Sequence, residues 1–243
     1  MSFVELKAAI SLTLIFVFRM LGLFMVLPVL ALFAEDLQGA SPGTIGIAIG
    51  AYGFSQALLQ IPFGWMSDRW GRKPVILAGL FIFLLGSLMA AEATSMTGII
   101  IGRVLQGCGA ISGAVTALMA DLIREQNRTK AMAMIGMGIG LAFGIAMVTG
   151  PIVSDIWGLS GLFISNAIMS VVAMGIILLV VPTPVVSRRD LNSSVDHSGL
   201  RQVFLDRQLL RQIIGIFTLH FVLMALFVFV PELLSIDYER SSH

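Results

Sequence analysis

The chain has 243 residues, 57% of them hydrophobic and 12% charged, with a mean hydropathy of +0.96. That balance excludes a soluble domain and fits a protein solvated largely by lipid. A net charge of +1 supplies no global field for a nucleic acid, and the single cysteine, Cys108, excludes an internal disulfide framework and a cysteine metal cluster.

About 20 apolar residues cross the roughly 30 Å hydrocarbon core of a bilayer, so this length accommodates about seven to nine helices with short loops. Apolar runs alternate with polar breaks and predict an all-α, polytopic membrane helix bundle with spans at 8–34, 43–63, 74–91, 98–120, 131–153, 161–182 and 212–231. The first run is too long for the apolar part of a cleaved signal. The breaks at 64–73, 121–130 and 183–211, together with Lys7, carry twelve of the fifteen Lys and Arg, whereas 35–42, 92–97 and 154–160 carry none. Cytoplasmic loops collect Lys and Arg, so the N-terminus and the basic segments are expected in the cytoplasm and the tail after the seventh span outside. The segment 183–211 is polar, opens beside Pro182 and Pro184, and reads as a cytoplasmic linker. It separates a six-helix bundle, residues 1–182, from a seventh helix and short tail, residues 212–243.

The six spans contain a repeat. Arg19 in the first is matched by Arg103 in the fourth. The second and fifth are both stepped by glycine and expected to end at proline: Gly46, Gly50, Gly53 and Pro62, then Gly136, Gly140, Gly144 and Pro151. Three helices repeated with opposite topology point to a transporter. Small residues four apart, including Gly46/Gly50, Gly109/Gly113 and Gly136/Gly140/Gly144, are expected to let helix backbones pack closely.

The most specific segment is Gly64-Trp-Met-Ser-Asp-Arg-Trp-Gly-Arg-Lys-Pro74, in the turn after the second span. Asp68 is expected at the C-terminal end of a helix, where the helix dipole disfavours an anion, so it needs a positive partner. Gly71 permits a tight turn and Pro74 suits the first turn of the next helix.

This segment resembles motif A of the major facilitator superfamily. Gly102-Arg103-Val-Leu-Gln-Gly107 is similar to that family's motif B, and Gly150-Pro151 to the core of its motif C, although Ser154 and Asp155 stand where that motif continues with glycines. The resemblance covers most of residues 10–182. It implies one six-helix half, two inverted three-helix units, of a twelve-helix transporter of a bacterial inner membrane, with the start of a second half and the remainder of that half missing. It also implies a central substrate path and alternating access. The motif A acid, here Asp68, would lock one state against a helix N-terminus of the second half, while Arg72 pairs with an acid of the fourth helix, here Asp121. Gly64, Arg69, Gly71 and Lys73 complete that switch, and Gly140, Gly144, Gly150 and Pro151 form the packing motif.

A charge near the bilayer centre costs about 2.5–3.5 kcal/mol on insertion scales and so marks a polar cavity or a partner. Arg19 and Arg103 are therefore candidates for a substrate or proton path, together with Gln56, Gln60, Gln106 and His220, the last being the one expected intramembrane side chain of a type whose unperturbed pKa lies near neutrality. No Asp or Glu falls clearly inside an apolar span, no metal-ligand spacing occurs, and no catalytic triad or carboxylate pair is present, so neither enzyme nor cofactor is expected. The expected partners are a small molecule, drug-like or hydrophobic by resemblance, the lipid bilayer, protons as coupling ion, and a second half or another copy of the chain. Two rivals remain. One is a truncated, transport-inactive product ending at His243. The other is a seven-helix receptor or retinal protein, against which stand the basic turn and a seventh span without Lys for a Schiff base.

Overall fold

A computed structural model describes residues 1–33, 37–183, 206–219, 221–222 and 225–226. The chain divides into two units, Met1–Ser187 and Arg188–His243.

The first unit is built of α1 (Phe3–Phe33), α2 (Pro42–Trp70), α3 (Arg72–Ala91), α4 (Met96–Cys108), α5 (Ser112–Leu122) and α6 (Glu125–Leu179). Local chemistry starts these helices where they start. Ser41 accepts from the Thr44 amide while Thr44 reaches back to the Ser41 amide, and Pro42 occupies the first turn of α2. Ser95 caps α4 in the same way through the Gly98 amide. Between α2 and α3 the chain reverses at Gly71, whose φ of 100° is open to glycine and strained for other residues.

Two expected boundaries are corrected. The fourth span is interrupted at residues 109–111 and forms two helices, α4 and α5. The expected outside loop 154–160 is largely helical, so the fifth and sixth spans merge into the 55 residues of α6. At 1.5 Å per residue α6 would be about 80 Å long, more than twice a bilayer core, and it is Gly158, with φ of 69°, that breaks it into arms 125–157 and 159–179. Pro62 and Pro151 lie inside α2 and α6 and end neither helix.

Tertiary contacts fix the direction of each crossing. Along α1, Glu5 meets Arg124, Thr13 and Val17 meet Gly138, and Met25 meets Gly150, so the first arm of α6 runs parallel to α1. The second arm runs back: Asn166 donates to the Gly22 carbonyl, and Ala173 and Ile177 join the cluster around Leu12, Ile15 and Phe16. Phe163 and Leu162 pack with Val26 and Leu30 at the far end. Helices α1, α2 and α3 therefore cross up, down and up, while α4 with α5 and the two arms of α6 cross down, up and down. This is the inverted three-helix repeat the sequence implied.

Glycines sort the packing: Gly109 and Gly113 are closely approached as their spacing suggested, by the Gly79 carbonyl and by Gln60, and the stepped faces of α2 and α6 are not. A methyl group at Gly86 would lie 2.8 Å from the Gly102 carbonyl oxygen, and one at Gly107 would strike the Tyr52 carbonyl and Ser55, so α4 presses closely on α3 and α2. By contrast Gly46, Gly50, Gly53, Gly136, Gly140 and Gly144 have nothing within 4 Å of where a methyl would sit. The stepped faces expected to close the bundle are open in it, because α2 and the first arm of α6 turn their neighbouring faces inward through Ala48, Tyr52 and Ser55, and through Ala131, Ile135 and Ala142.

The second unit is described over a helix beginning at Arg207, with Asp206 accepting from the Gln208 amide at 2.8 Å as a cap. His220 lies outside the described residues.

Gly107→Ala is expected to destabilise the bundle by about 1–3 kcal/mol through overpacking, whereas Gly136→Ala, on an open helical face, is expected to be neutral or to stabilise by up to about 1 kcal/mol. Thermal unfolding of the detergent-solubilised variants checks the contrast.

Candidate functional site: a buried arginine pair and a basic-end switch

Two polar assemblies occupy the first unit. The inner one forms because α1, α2 and α4 each turn one long polar or aromatic side chain toward the same interior point. Arg103 is wholly buried and Arg19 is 2% exposed. The Arg103 guanidinium carbon lies 4.5 Å from the centre of the Tyr52 ring, and that of Arg19 lies 5.9 Å from the same centre and 5.6 Å from that of Phe83. Cation–π attraction is strongest in such desolvated settings.

The hydrogen-bond partners of the two arginines are neutral. Arg103 Nη1 donates to Gln106 Oε1 at 2.9 Å, and Nε donates to the Ala48 carbonyl at 3.4 Å. Gln106 is oriented in turn, its Nε2 donating to Ser87 Oγ at 2.8 Å, and Ser87 donates to the Phe83 carbonyl at 2.7 Å. Arg19 Nη2 donates to Gln56 Oε1 at 3.0 Å, while Nη1 donates to the Gly109 carbonyl. That last contact explains the break between α4 and α5. Interrupting the helix at 109–111 frees carbonyls at the C-terminal, partially negative end of α4, and a buried cation meets one there.

Of the residues grouped from sequence, then, Gln106 serves Arg103 and Gln56 serves Arg19. Gln60 lies further along α2 against Gly113 and hydrogen-bonds to neither arginine. Tyr52 and Ser87 were not singled out from sequence. Tyr52 is one of two tyrosines in the chain and sits one helical turn from Ala48, on the face opposite the glycine steps, which was the available signal.

The second assembly lies at the end where basic residues collect. Arg72, at the start of α3, forms an ion pair with Asp68 in the last turn of α2, and its Nε lies 3.2 Å from Asp121 Oδ2 at the end of α5. Nη1 also donates to Ser67 Oγ at 2.7 Å. Asp68 is 63% exposed and Asp121 41%. Arg69 stacks over Trp65 at 5.3 Å, and Gly64 faces open space. Lys73 Nζ donates at 2.6 Å to the Val181 carbonyl just past the end of α6, which ties α3 to the end of the first unit. Gly150 packs on the Met25 carbonyl, but Gly140 and Gly144 do not touch a neighbouring helix, so the expected packing motif closes only at its end.

Glu5 escaped sequence analysis, because it precedes the apolar run. Its carboxylate is buried and accepts from Arg124 Nε at 2.9 Å, the Arg124 amide at 3.1 Å, the Ser2 amide at 2.7 Å and Asn127 at 3.3 Å. The bond to Glu5 raises Arg124 above its ordinary pKa, so the latch between α1 and α6 stays charged on the arginine side. Asp155, expected in a loop, is an exposed residue of α6. No group of His, Cys, Asp and Glu able to hold a metal occurs among the described residues.

An all-helical unit of six crossings in two inverted triplets, with buried cations at its centre and a charged turn at one end, defines a polytopic membrane helix bundle. Residues 12–241 match the Major Facilitator Superfamily, and the chain belongs to it. It is 48% identical over 98% of its length to the inner membrane transport protein YajR of Escherichia coli (strain K12), covering 53% of that protein. It is 34% identical over 54% of its length to multidrug resistance protein D of Escherichia coli (strain K12), covering 34% of it. In fold it is similar to a bacterial homologue of the human drug peptide transporters PepT1 and PepT2, with a TM-score of 0.63 and 17% identity, over 72% of this chain and 41% of that one. The chain spans about half the length of YajR.

Because Asp68 and Asp121 are substantially exposed, a double-mutant cycle of Arg72→Gln with Asp121→Asn is expected to give a coupling of only about 0.2–1 kcal/mol in the thermal stability of the chain, falling as salt rises. A coupling well above that range would mean that the pair holds the bundle together.

Proposed function

We propose that the first unit is one of two six-helix bundles of a secondary transporter, which moves a small molecule across a bacterial inner membrane by alternating access, with the other bundle supplied by a second half or another copy. The observation that carries this reading is Arg72, held between Asp68 and Asp121 at a turn that Gly71 makes possible. Asp68 sits at the unfavourable end of the α2 dipole and keeps most of its surface free. It can therefore exchange Arg72 for a positive group of the other bundle, such as a helix N-terminus, in one state only, and so bias the equilibrium between states. The open glycine faces of α2 and of the first arm of α6 suit the second bundle.

The finer assignments rest on resemblance and on charge. The similarity to multidrug resistance protein D supports a drug-like cargo, and the motif resemblance supports a hydrophobic cargo moved outward in exchange for protons. Arg19, Arg103, Gln56, Gln60 and Gln106 would line the path, with His220 as a proton carrier. The concentration of Lys and Arg at the end bearing Arg72, Lys73 and Arg124 supports placing that end and the N-terminus in the cytoplasm.

In the transporter that contains both bundles, Asp68→Asn is expected to lower vesicle transport of a responsive substrate by roughly fivefold or more, the scale of a conformational coupling of about 1 kcal/mol, while leaving insertion intact. Unchanged flux would remove the switch role. Cysteines placed at residues 70 and 94 are expected to label from opposite sides of the membrane, the first only after permeabilisation; labelling of both from one side would overturn the orientation.

A further inference from the structure

The inner assembly holds two guanidinium charges with no carboxylate against them among the described residues. Among the described residues neither Arg19 nor Arg103 forms an ion pair, and their hydrogen bonds run to backbone carbonyls and to glutamine side chains. Nor are their donors exhausted. Arg19 Nε, Arg103 Nη2 and Tyr52 Oη are each buried with no hydrogen-bond partner. Both guanidinium carbons lie within 6 Å of the Tyr52 ring centre, so the orphan groups belong to one cluster, shared by α1, α2 and α4. Buried charges are normally paired, and an unsatisfied donor on a charged group carries the full cost of its lost hydration. The end of α4 offsets part of the Arg19 charge through the Gly109 carbonyl. Arg103 has only dipoles and a ring face.

We propose that this cluster is a binding site for a small anion bearing carboxylate or phosphate oxygens, so that the transported molecule, or the headgroup it presents, is anionic. A planar fork of guanidinium donors matches such oxygens bidentately. A second guanidinium and the Tyr52 hydroxyl supply the further donors that an oxyanion accepts. Phe83, beside Arg19, and Tyr52 make the rest of the wall apolar and aromatic, which favours an organic acid with an unsaturated or ring-bearing body over inorganic phosphate. The cluster is sealed by the packing of its own helices, so the anion enters when α1, α2 and α4 part, and its arrival neutralises charge that the closed unit otherwise holds at a cost. This rests on the reading of the chain as a transporter bundle and narrows its substrate class.

The test uses the full chain in lipid nanodiscs. Thermal unfolding and Trp fluorescence are followed while benzoate, inorganic phosphate or benzamide is titrated at constant ionic strength. Benzamide keeps the shape of benzoate and lacks its charge. The expected result is saturable stabilisation by benzoate, weaker stabilisation by phosphate, and none by benzamide. Arg103→Gln and Arg19→Gln should each weaken benzoate binding at least tenfold, and Arg103→Lys should keep part of it. Tyr52→Phe, which removes one hydroxyl and leaves the ring, should weaken it several-fold and serves if the arginine variants do not fold. Equal responses to benzoate and benzamide, or benzoate binding unchanged in Tyr52→Phe and in whichever arginine variants fold, would overturn the proposal. Vesicle flux measured separately in the two-bundle transporter distinguishes the failures: transport of a neutral or cationic substrate with no anion binding would sink the anionic class alone, and absence of all flux would sink the transporter reading.

Discussion

A guanidinium in a lipid-solvated bundle must find its hydrogen bonds within the protein, and two of them in one unit constrain almost everything around them. Arg103 is wholly buried, so α4 must approach α2 until the Ala48 carbonyl and the Tyr52 ring come within reach. Only glycine at 107 leaves room for that approach. Arg19 imposes the other condition. Its demand for acceptors is met by opening the helix at 109–111, which gives up regular helical bonds and turns the Gly109 carbonyl, which also accepts the Ile111 amide at 2.8 Å, toward the guanidinium. The break and the cation are two sides of one balance, since an unmet carbonyl and an unmet charge are each costly in a medium without water.

The same reasoning explains which glycines matter to this unit. Close approach is found at Gly79, Gly86, Gly102, Gly107, Gly109 and Gly150, on helices that flank the arginine cluster or the core of α1 and α6. The regularly stepped glycines of α2 and α6 are the open ones. Lipid offers no hydrophobic force to press helices together, so a groove of small residues has its effect only where another helix fits it. Within the first unit that groove is unfilled.

Much of this was legible in the chain itself. The six crossings, their alternation in basic residues and the inverted repeat followed from apolar run length and the placement of Lys and Arg, because the bilayer imposes one length and one satisfied backbone on every crossing. The pairing of Arg72 with Asp121 followed from family resemblance. What stayed hidden had physical causes. The interruption at 109–111 is invisible to hydropathy, since Gly109, Ala110 and Ile111 are as apolar as their neighbours and the break answers a side chain ninety residues away. Tyr52 drew no notice because a lone aromatic in an apolar helix carries no charge signal, although it is the surface both arginines share. The glycine faces misled because spacing shows that a helix can be approached and says nothing of which partner approaches it. Glu5 lies outside the apolar run, so its burial by Arg124 and Asn127 depended on where α6 begins.

The two assemblies are not separate. Helix α5 runs from Ser112, beside the break that Arg19 clamps, to Leu122, beside the Asp121 that Arg72 holds. Its 11 residues make a rod about 16 Å long, without proline or positive-φ glycine. Charge at the centre of the bundle and the ion pairs at its basic end therefore meet on one element: the helix that begins beyond the Arg19 contact also carries the carboxylate that shares Arg72 with Asp68.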